Sequence, residues 1–274
     1  MNPSLIATPL QNKAVLVTGA AKRLGREIAL EFARQGWDVA IHYGQSKQEA
    51  LQTMAEIQGL GRKAAVFQAN LADEVEVKAL FAAVVGHFEQ LQCLVNSASL
   101  FAYDRANSAT PLSTASLQEH MQINVATPIL LSQCLFEWQR NQMEKNPKAA
   151  IPQSAPVVIQ LLDQKLINPN PDYLSYTLSK SALLATVELL AMDFAPHLRV
   201  VGLAPGISLP SGDQTEGGFA QAHQMTPMGK SSSPLDIAKA AIFLAESSAI
   251  TGTTLYVDGG QHLLPSARDV MFKT

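Results

Sequence analysis

Short apolar runs alternate with longer helical patterns along almost the whole chain. Residues 14–18 (AVLVT), 39–43, 64–68, 93–96, 157–162, 199–203 and 254–257 are brief and β-branched or apolar. Between them, residues 26–35, 47–58, 74–88, 117–143, 173–194 and 234–246 carry helical patterns. The first of these has apolar Ile28, Leu30, Phe32 and Ala33. Strands this apolar are buried on both faces, so the pattern predicts a parallel sheet with helices on each side. The expected fold class is α/β, a doubly wound Rossmann domain with a seven-stranded parallel sheet.

No linker, repeat or low-complexity tract interrupts the alternation, so residues 1–274 read as one domain. Residues 1–11 read as an N-terminal tail, 141–156 as a surface loop and 261–274 as a C-terminal tail. Residues 204–227, rich in Gly, Ser and Pro, lie just past the carboxyl end of the sixth strand, where such sheets bind ligands. They are expected to form an irregular, mobile lid over a substrate.

Composition narrows the class. The chain is 47% apolar and 16% charged, which supplies a core and argues against disorder. A net charge of −3 with scattered Lys and Arg offers no footprint for nucleic acid. Cys93 and Cys134 sit in apolar surroundings and read as buried thiols of a reducing compartment. The histidines show no ligand spacing, so no metal is inferred. There is no secretory leader pattern and no run of about 18 apolar residues, so the expectation is a cytoplasmic protein without a membrane partner.

Chemistry concentrates at Tyr176-Thr177-Leu178-Ser179-Lys180, with Asp163 thirteen residues before the tyrosine. Tyrosine and lysine four apart share one helix face, and the ammonium is expected to favour the phenolate. That is the equipment of an oxidoreductase that moves a proton while a cofactor moves a hydride. A bare YxxxK is a common coincidence, and an acid at position 163 can simply cap a backbone turn. Thr18-Gly19-Ala20-Ala21-Lys22-Arg23-Leu24-Gly25 joins the first strand to the first helix, where small residues admit a pyrophosphate to the helix N-terminus. Arg23 stands where a third glycine is common and brings a guanidinium to the phosphate site.

The end of the second strand, His42-Tyr43-Gly44-Gln45-Ser46-Lys47, lacks the acid that would bind a ribose 2′-hydroxyl. Ser46 and Lys47, with Lys22 nearby, can donate to a 2′-phosphate, which favours NADPH; an ordinary helix cap also explains Ser46. Asn96-Ser97-Ala98-Ser99 closes the fourth strand with small residues, and Phe101 follows. Asn124, inside a helix, needs partners, so it is expected to hold a water or bend the helix.

These residues, with Leu203-Ala204-Pro205-Gly206-Ile207, resemble the short-chain dehydrogenase/reductase family over about residues 13–263. The resemblance implies that Tyr176 is the acid/base, that Lys180 binds the nicotinamide ribose, and that Asn124 supports a proton-relay water. It implies that Gly19, Lys22, Arg23, Leu24, Gly25 and Ser46 hold the cofactor, with His42, Tyr43, Gly44 and Gln45. Asn70, Leu71, Asn96, Ser97, Ala98 and Ser99 complete that site with Pro205, Gly206 and Ser208. The family commonly forms tetramers, so a homotetramer is implied, with residues 266–270 reaching a neighbouring subunit.

Most members carry serine where this chain has Asp163. That acid, Arg23 and Phe101 are similar to the pteridine reductase branch, which implies NADPH-dependent reduction of a pterin or folate-like substrate. In that branch Phe101 would stack on the ring, Arg23 and Ser99 would contact it, Tyr173 would line the pocket, and Asp163 would help Tyr176 protonate a ring nitrogen. The chain departs from the branch at Gln45 (commonly arginine), Asn70 (aspartate), Ser97 (asparagine) and Leu100 (serine). Two other readings stand beside it: a carbonyl reductase acting on a ketone or 3-oxoacyl substrate, and a non-catalytic NADP-binding regulator.

Overall fold

The computed structural model describes residues 13–145, 155–210 and 214–273. The strands are β1 (Ala14–Val17), β2 (Asp38–Tyr43), β3 (Ala64–Gln68), β4 (Leu91–Asn96), β5 (Val157–Leu161), β6 (Arg199–Pro205) and β7 (Thr254–Val257). The helices are α1 (Arg23–Arg34), α2 (Lys47–Gly59), α3 (Glu74–His87), α4 (Thr114–Met121), α5 (Thr127–Lys145), α6 (Leu174–Phe194), α7 (Glu216–Gln224) and α8 (Pro234–Glu246). The strands form one sheet in the order β3-β2-β1-β4-β5-β6-β7, parallel throughout, as the apolar runs predict. The order reverses between β1 and β4, which opens a crevice at the carboxyl ends of those strands.

Alternation along each strand divides the core in two. Val15 and Val17 of β1 face a layer with Ile28 and Phe32 of α1, Ile57 of α2 and Ile237 of α8. Ala14 and Leu16 face the opposite layer, with Leu80 of α3, Leu131 of α5 and Phe194 of α6. Side chains of period two meet helices on both faces, so nearly every residue of the five inner strands is buried. No helix among the described residues is long and apolar enough to cross a membrane.

The structure corrects several boundaries. The single helix expected at 117–143 starts at Thr114 and is interrupted by a π-helical turn, Gln122–Ala126. Residues 204–227 are not irregular throughout, because they include α7, whose Thr215 accepts a hydrogen bond from the Gly218 N–H. Two glycines in its first turn mask this helix in the sequence. The first five residues of the expected loop 141–156 belong to α5, which ends at Lys145. The expected tail 1–11 and residues 146–154 lie outside the described residues.

Arg199, at the start of β6, is buried and fastens the end of α8 to the sheet. Its guanidinium donates to the carbonyls of Leu244, Ala245, Ser247, Ile250 and, through Nε, Ala155, at 2.9–3.2 Å. These include carbonyls that a helix end otherwise leaves without partners. Arg199→Met should lower unfolding free energy by about 2–4 kcal/mol, measured by urea denaturation. A loss below about 0.5 kcal/mol would show that water satisfies those carbonyls equally well.

Candidate active site

The phosphate-type loop is built by close approach. Gly19 has φ of 66°, and a Cβ there would stand 3.0 Å from the Cα of Ala98. A Cβ on Gly25 would run into the Gly19 carbonyl. Thr18 Oγ1 accepts hydrogen bonds from the Ser97 and Ala98 N–H groups, both at 3.0 Å, and so ties the ends of β1 and β4 together. Lys22, at the α1 N-cap, makes no side-chain cap, so the positive end of the helix faces the crevice. Arg23 has φ of 55°, a conformation that suits glycine, and its Nη2 donates to the Pro210 carbonyl at 2.9 Å.

Helix α6 is positioned from a distance. Tyr173 occupies its N-cap with φ of 55° and provides no side-chain cap. Asp104, buried in the segment after β4, takes over that role. Its carboxylate accepts from the Ser175 N–H at 2.9 Å and from the Ser175 hydroxyl, and its carbonyl accepts from the Leu174 N–H at 3.0 Å. A carboxylate at this end also complements the helix dipole.

One turn into α6, the Tyr176 hydroxyl donates to Asp163 Oδ2 at 2.9 Å. The other oxygen of Asp163 accepts from the Lys165 N–H at 2.8 Å and caps a 3-10 turn. The turn-capping and phenol-pairing readings therefore both hold, one at each oxygen. Burial pushes the Asp163 carboxyl up from its ordinary value. Burial, the Asp163 charge and the shared hydrogen bond hold the Tyr176 phenol well above its own.

The phenolate that Lys180 was expected to favour is therefore not favoured here. Lys180 Nζ donates to the Leu161 carbonyl at 2.6 Å and lies 5.7 Å from the Tyr176 ring centroid. Burial brings the lysine itself down to about 8. In a site of low polarity, desolvation and a neighbouring carboxylate outweigh one ammonium that is already engaged. The phenol keeps its proton at neutral pH, as a donor requires.

Asn124 stands where the helix departs from regular α geometry. It is buried in the π turn, where its Oδ1 accepts from the Leu100 N–H at 2.7 Å and the Ser99 hydroxyl at 3.2 Å. Its Nδ2 donates to the Leu100 carbonyl and Ser179 Oγ, both at 2.9 Å. The wide π turn lets the amide clasp the segment after β4.

A cavity of about 680 Å³ runs along the crevice. Gly19, Lys22, Arg23, Leu24 and Gly25 line its phosphate end, and Ser97, Ala98, Ser99 and Phe101 its wall. Asp163, Tyr176 and Lys180 lie at its centre, with Pro205, Gly206 and Ser208 opposite. Asn96, Asn124, His42 and Tyr43 are buried behind this lining. Leu71 is also buried, whereas Gly44, Gln45 and Asn70 are exposed and Ser46 half-buried beyond the lining.

His42 holds the loop from behind. It accepts from the Gly19 N–H at 3.1 Å through Nδ1, and its Nε2 lies 3.1 Å from the Ala69 carbonyl. Lys22, expected to help at a 2′-phosphate, is paired with Glu49 at 2.6 Å. Tyr173 was expected to line the pocket but stands behind Phe101, their rings stacked at 4.2 Å and 16°. Phe101 also meets the Tyr176 ring edge-on at 4.8 Å.

Sequence reasoning missed Asp104, Lys165 and the C-terminal segment. Residues 264–271 contribute most of a further cavity wall, where the expectation had residues 266–270 reaching a neighbour. Within the chain they fold back onto its own cleft. No periodicity marks them, and their bonds to Asp172 reveal the arrangement only in the folded chain.

Residues 19–262 match the family model described as enoyl-(acyl carrier protein) reductase. The 3-oxoacyl-[acyl-carrier-protein] reductase FabG of Staphylococcus aureus (strain N315) is 28% identical over 92% of this chain and 98% of its own length. The 3beta-hydroxysteroid dehydrogenase 1 of Eggerthella lenta is 31% identical over 93% of this chain and 96% of its own. The crystal structure of FolM alternative dihydrofolate reductase 1 from Brucella suis in complex with NADP is similar at a TM-score of 0.82. That likeness carries 32% identity over 93% of this chain and 97% of that one.

Asp104→Ala should remove about 1–2 kcal/mol of stability, the range of a lost helix cap, and lower Tm in thermal denaturation. An unchanged Tm would show that α6 does not depend on this remote cap.

Proposed function

The chain belongs to the short-chain dehydrogenase/reductase family and is an NADPH-dependent oxidoreductase, and we propose that its substrate is a pterin or dihydrofolate-type compound. The observation that carries this reading is the Asp163–Tyr176 hydrogen bond inside the cavity. Similarity to an alternative dihydrofolate reductase supports it.

The residues fit the cofactor. Gly19 and Gly25 let the loop pack tightly against Ala98 and against itself, and the α1 N-terminus offers donors to phosphate. Gly19, Arg23, Leu24 and Gly25 would hold the pyrophosphate region, Ser97 to Ser99 and Lys180 the nicotinamide half. When bound, NADPH supplies a hydride to a ring carbon. Reducing a C=N bond also requires a proton at nitrogen, and the rest of the site serves that need.

Burial keeps Tyr176 protonated and raises Asp163, so the pair holds a transferable proton near neutral pH. Tyr176 donates to the ring nitrogen, and Asp163 orients the phenol and takes part in reloading it. Lys180 adds a positive charge beneath the phenol, which stabilises the oxygen as its proton leaves. Phe101, 45% exposed and braced by Tyr173, offers an open ring face on which a flat heterocycle can stack. Asn124 acts through Leu100 and Ser99, holding the wall that bears Phe101 in place.

A carbonyl reductase is the second reading, favoured by the likeness to FabG. A serine hydroxyl suits a carbonyl oxygen, and Asp163 in its place counts against it. Leu178, Leu189 and Met192 on α6 and Phe243 on α8 are exposed apolar side chains that can serve assembly into a homotetramer. The same reading places the enzyme in the cytoplasm.

Following NADPH absorbance with dihydrobiopterin, dihydrofolate and a simple ketoester separates the readings. Turnover of the ketoester alone would eliminate the pterin substrate, and NADPH binding without any turnover would favour a regulator. Asp163→Ser should lower kcat/KM for the pterin by about 10²-fold or more while NADPH affinity stays within about twofold. Equal loss of both would make Asp163 purely structural. Lys180, at about 8, must be charged to act, so kcat/KM should decline as pH rises through that value. In Lys180→Arg the decline should move to higher pH; a limb that stays put belongs to another group.

A further inference from the structure

The C-terminal segment is anchored more firmly than a tail requires. Asp172 is fully buried at the head of α6. Its Oδ2 accepts from Arg268 Nε and the Asp269 N–H, both at 2.8 Å. Its Oδ1 accepts from the Tyr103 hydroxyl at 3.3 Å and Arg105 Nη1 at 3.4 Å. Burial alone would raise this carboxyl, but the Arg268 and Asp269 hydrogen bonds and the two guanidinium charges hold it below its ordinary value. The segment ends in a 3-10 turn, Val270–Phe272, which packs on the same wall. Phe272 lies 5.3 Å from the Tyr103 ring and 6.3 Å from Tyr173.

This latch presents one more carboxylate to the cavity. Asp269 lines it together with Asp163 and Tyr176. Its own bonds are long: Oδ1 accepts from the Met271 N–H at 3.3 Å, and Oδ2 lies 3.4 Å from Lys165 Nζ. Lys165 makes its short bond elsewhere, to the Asp172 carbonyl at 2.6 Å. Asp163, in contrast, is committed at both oxygens, to Tyr176 and to the Lys165 N–H. A carboxylate accepts about four hydrogen bonds, so Asp269 has capacity to spare. Its charge also reaches the reacting pair, raising both Asp163 and Tyr176.

We propose that Asp269 recognises the hydrogen-bond-donor edge of the substrate, and that the chain's own C-terminal segment, latched by Asp172, is the wall that presents it. The inference rests on the pterin reading. An aminopyrimidinone ring carries an exocyclic amine beside a ring N–H, a pair of parallel donors that a carboxylate can accept as a fork. A ketone substrate offers no such edge. Asp163 is thereby left to its work with the phenol, and ring orientation is set by a second carboxylate. Asp269 determines specificity, and Asp172 is a positioning residue that acts through it.

The test uses the full chain with NADPH and dihydrobiopterin. Asp269→Asn should raise KM for dihydrobiopterin roughly tenfold or more, the effect of losing a hydrogen bond to a charged group, while kcat changes far less than KM and NADPH affinity stays within about twofold. Asp269→Glu, which keeps the charge, should recover part of that loss. Asp172→Asn should raise the same KM and also lower Tm, since it loosens the wall. An unchanged KM in Asp269→Asn, with the wild type still reducing dihydrobiopterin, would overturn the inference and leave the functional reading standing. A parallel fall in Tm, kcat and NADPH affinity would overturn it as well, because Asp269 would then be structural only. Failure of the wild type to reduce dihydrobiopterin would overturn the functional reading itself, and this inference with it.

Discussion

A carboxyl and a phenol held 2.9 Å apart away from bulk water are the constraint around which the site is arranged. Either group alone would be costly there. An ionised carboxylate in low polarity raises its own pKa, and an unpaired phenol loses a hydrogen bond. Together they satisfy each other, and the same burial keeps the proton between them. The end of β5 supplies the acid and the first turn of α6 the phenol, so the distance depends on how that helix is seated.

Seating α6 takes three remote contacts, and none comes from the helix itself. Asp104 caps it, Asp172, the residue before Tyr173, ties its start to the C-terminal segment, and Asn124 reaches Ser179 from the π turn. Each contact joins segments far apart in the chain, so site geometry and tertiary stability are not independent. Among the described residues, Arg23 and Tyr173 are the two non-glycine positions with positive φ. Each carries strain of roughly 1–2 kcal/mol, sustained by the contacts around it. Arg23 bridges the phosphate-type loop to Pro210 on the opposite rim, and Tyr173 braces Phe101.

Two carboxylates, Asp163 and Asp269, line the pocket with Asp172 buried behind them, and three of the cations around them are already engaged. Lys180 is bound to Leu161, Lys165 to the Asp172 carbonyl, and Arg268 to the Asp172 carboxylate. A molecule entering the cavity meets these carboxylates beside a protonated phenol.

The strands and most helices were legible because burial on both faces of a parallel sheet leaves uninterrupted apolar runs such as 14–18 and 199–203. The glycine loop and the Tyr176–Lys180 pair were legible because local geometry alone brings their residues together: one turn of helix, or one strand-to-helix corner. The π turn, the helix within 204–227 and the roles of Asp104 and Asp172 were not, since each depends on a partner distant in sequence. The same holds for the protonation of Tyr176: spacing identified a nearby lysine, but only the folded surroundings showed that burial and Asp163 prevail. Local periodicity and backbone sterics are written in neighbouring residues. Desolvation, remote caps and the wall made by residues 264–273 arise only once chain closure has brought separate segments into contact.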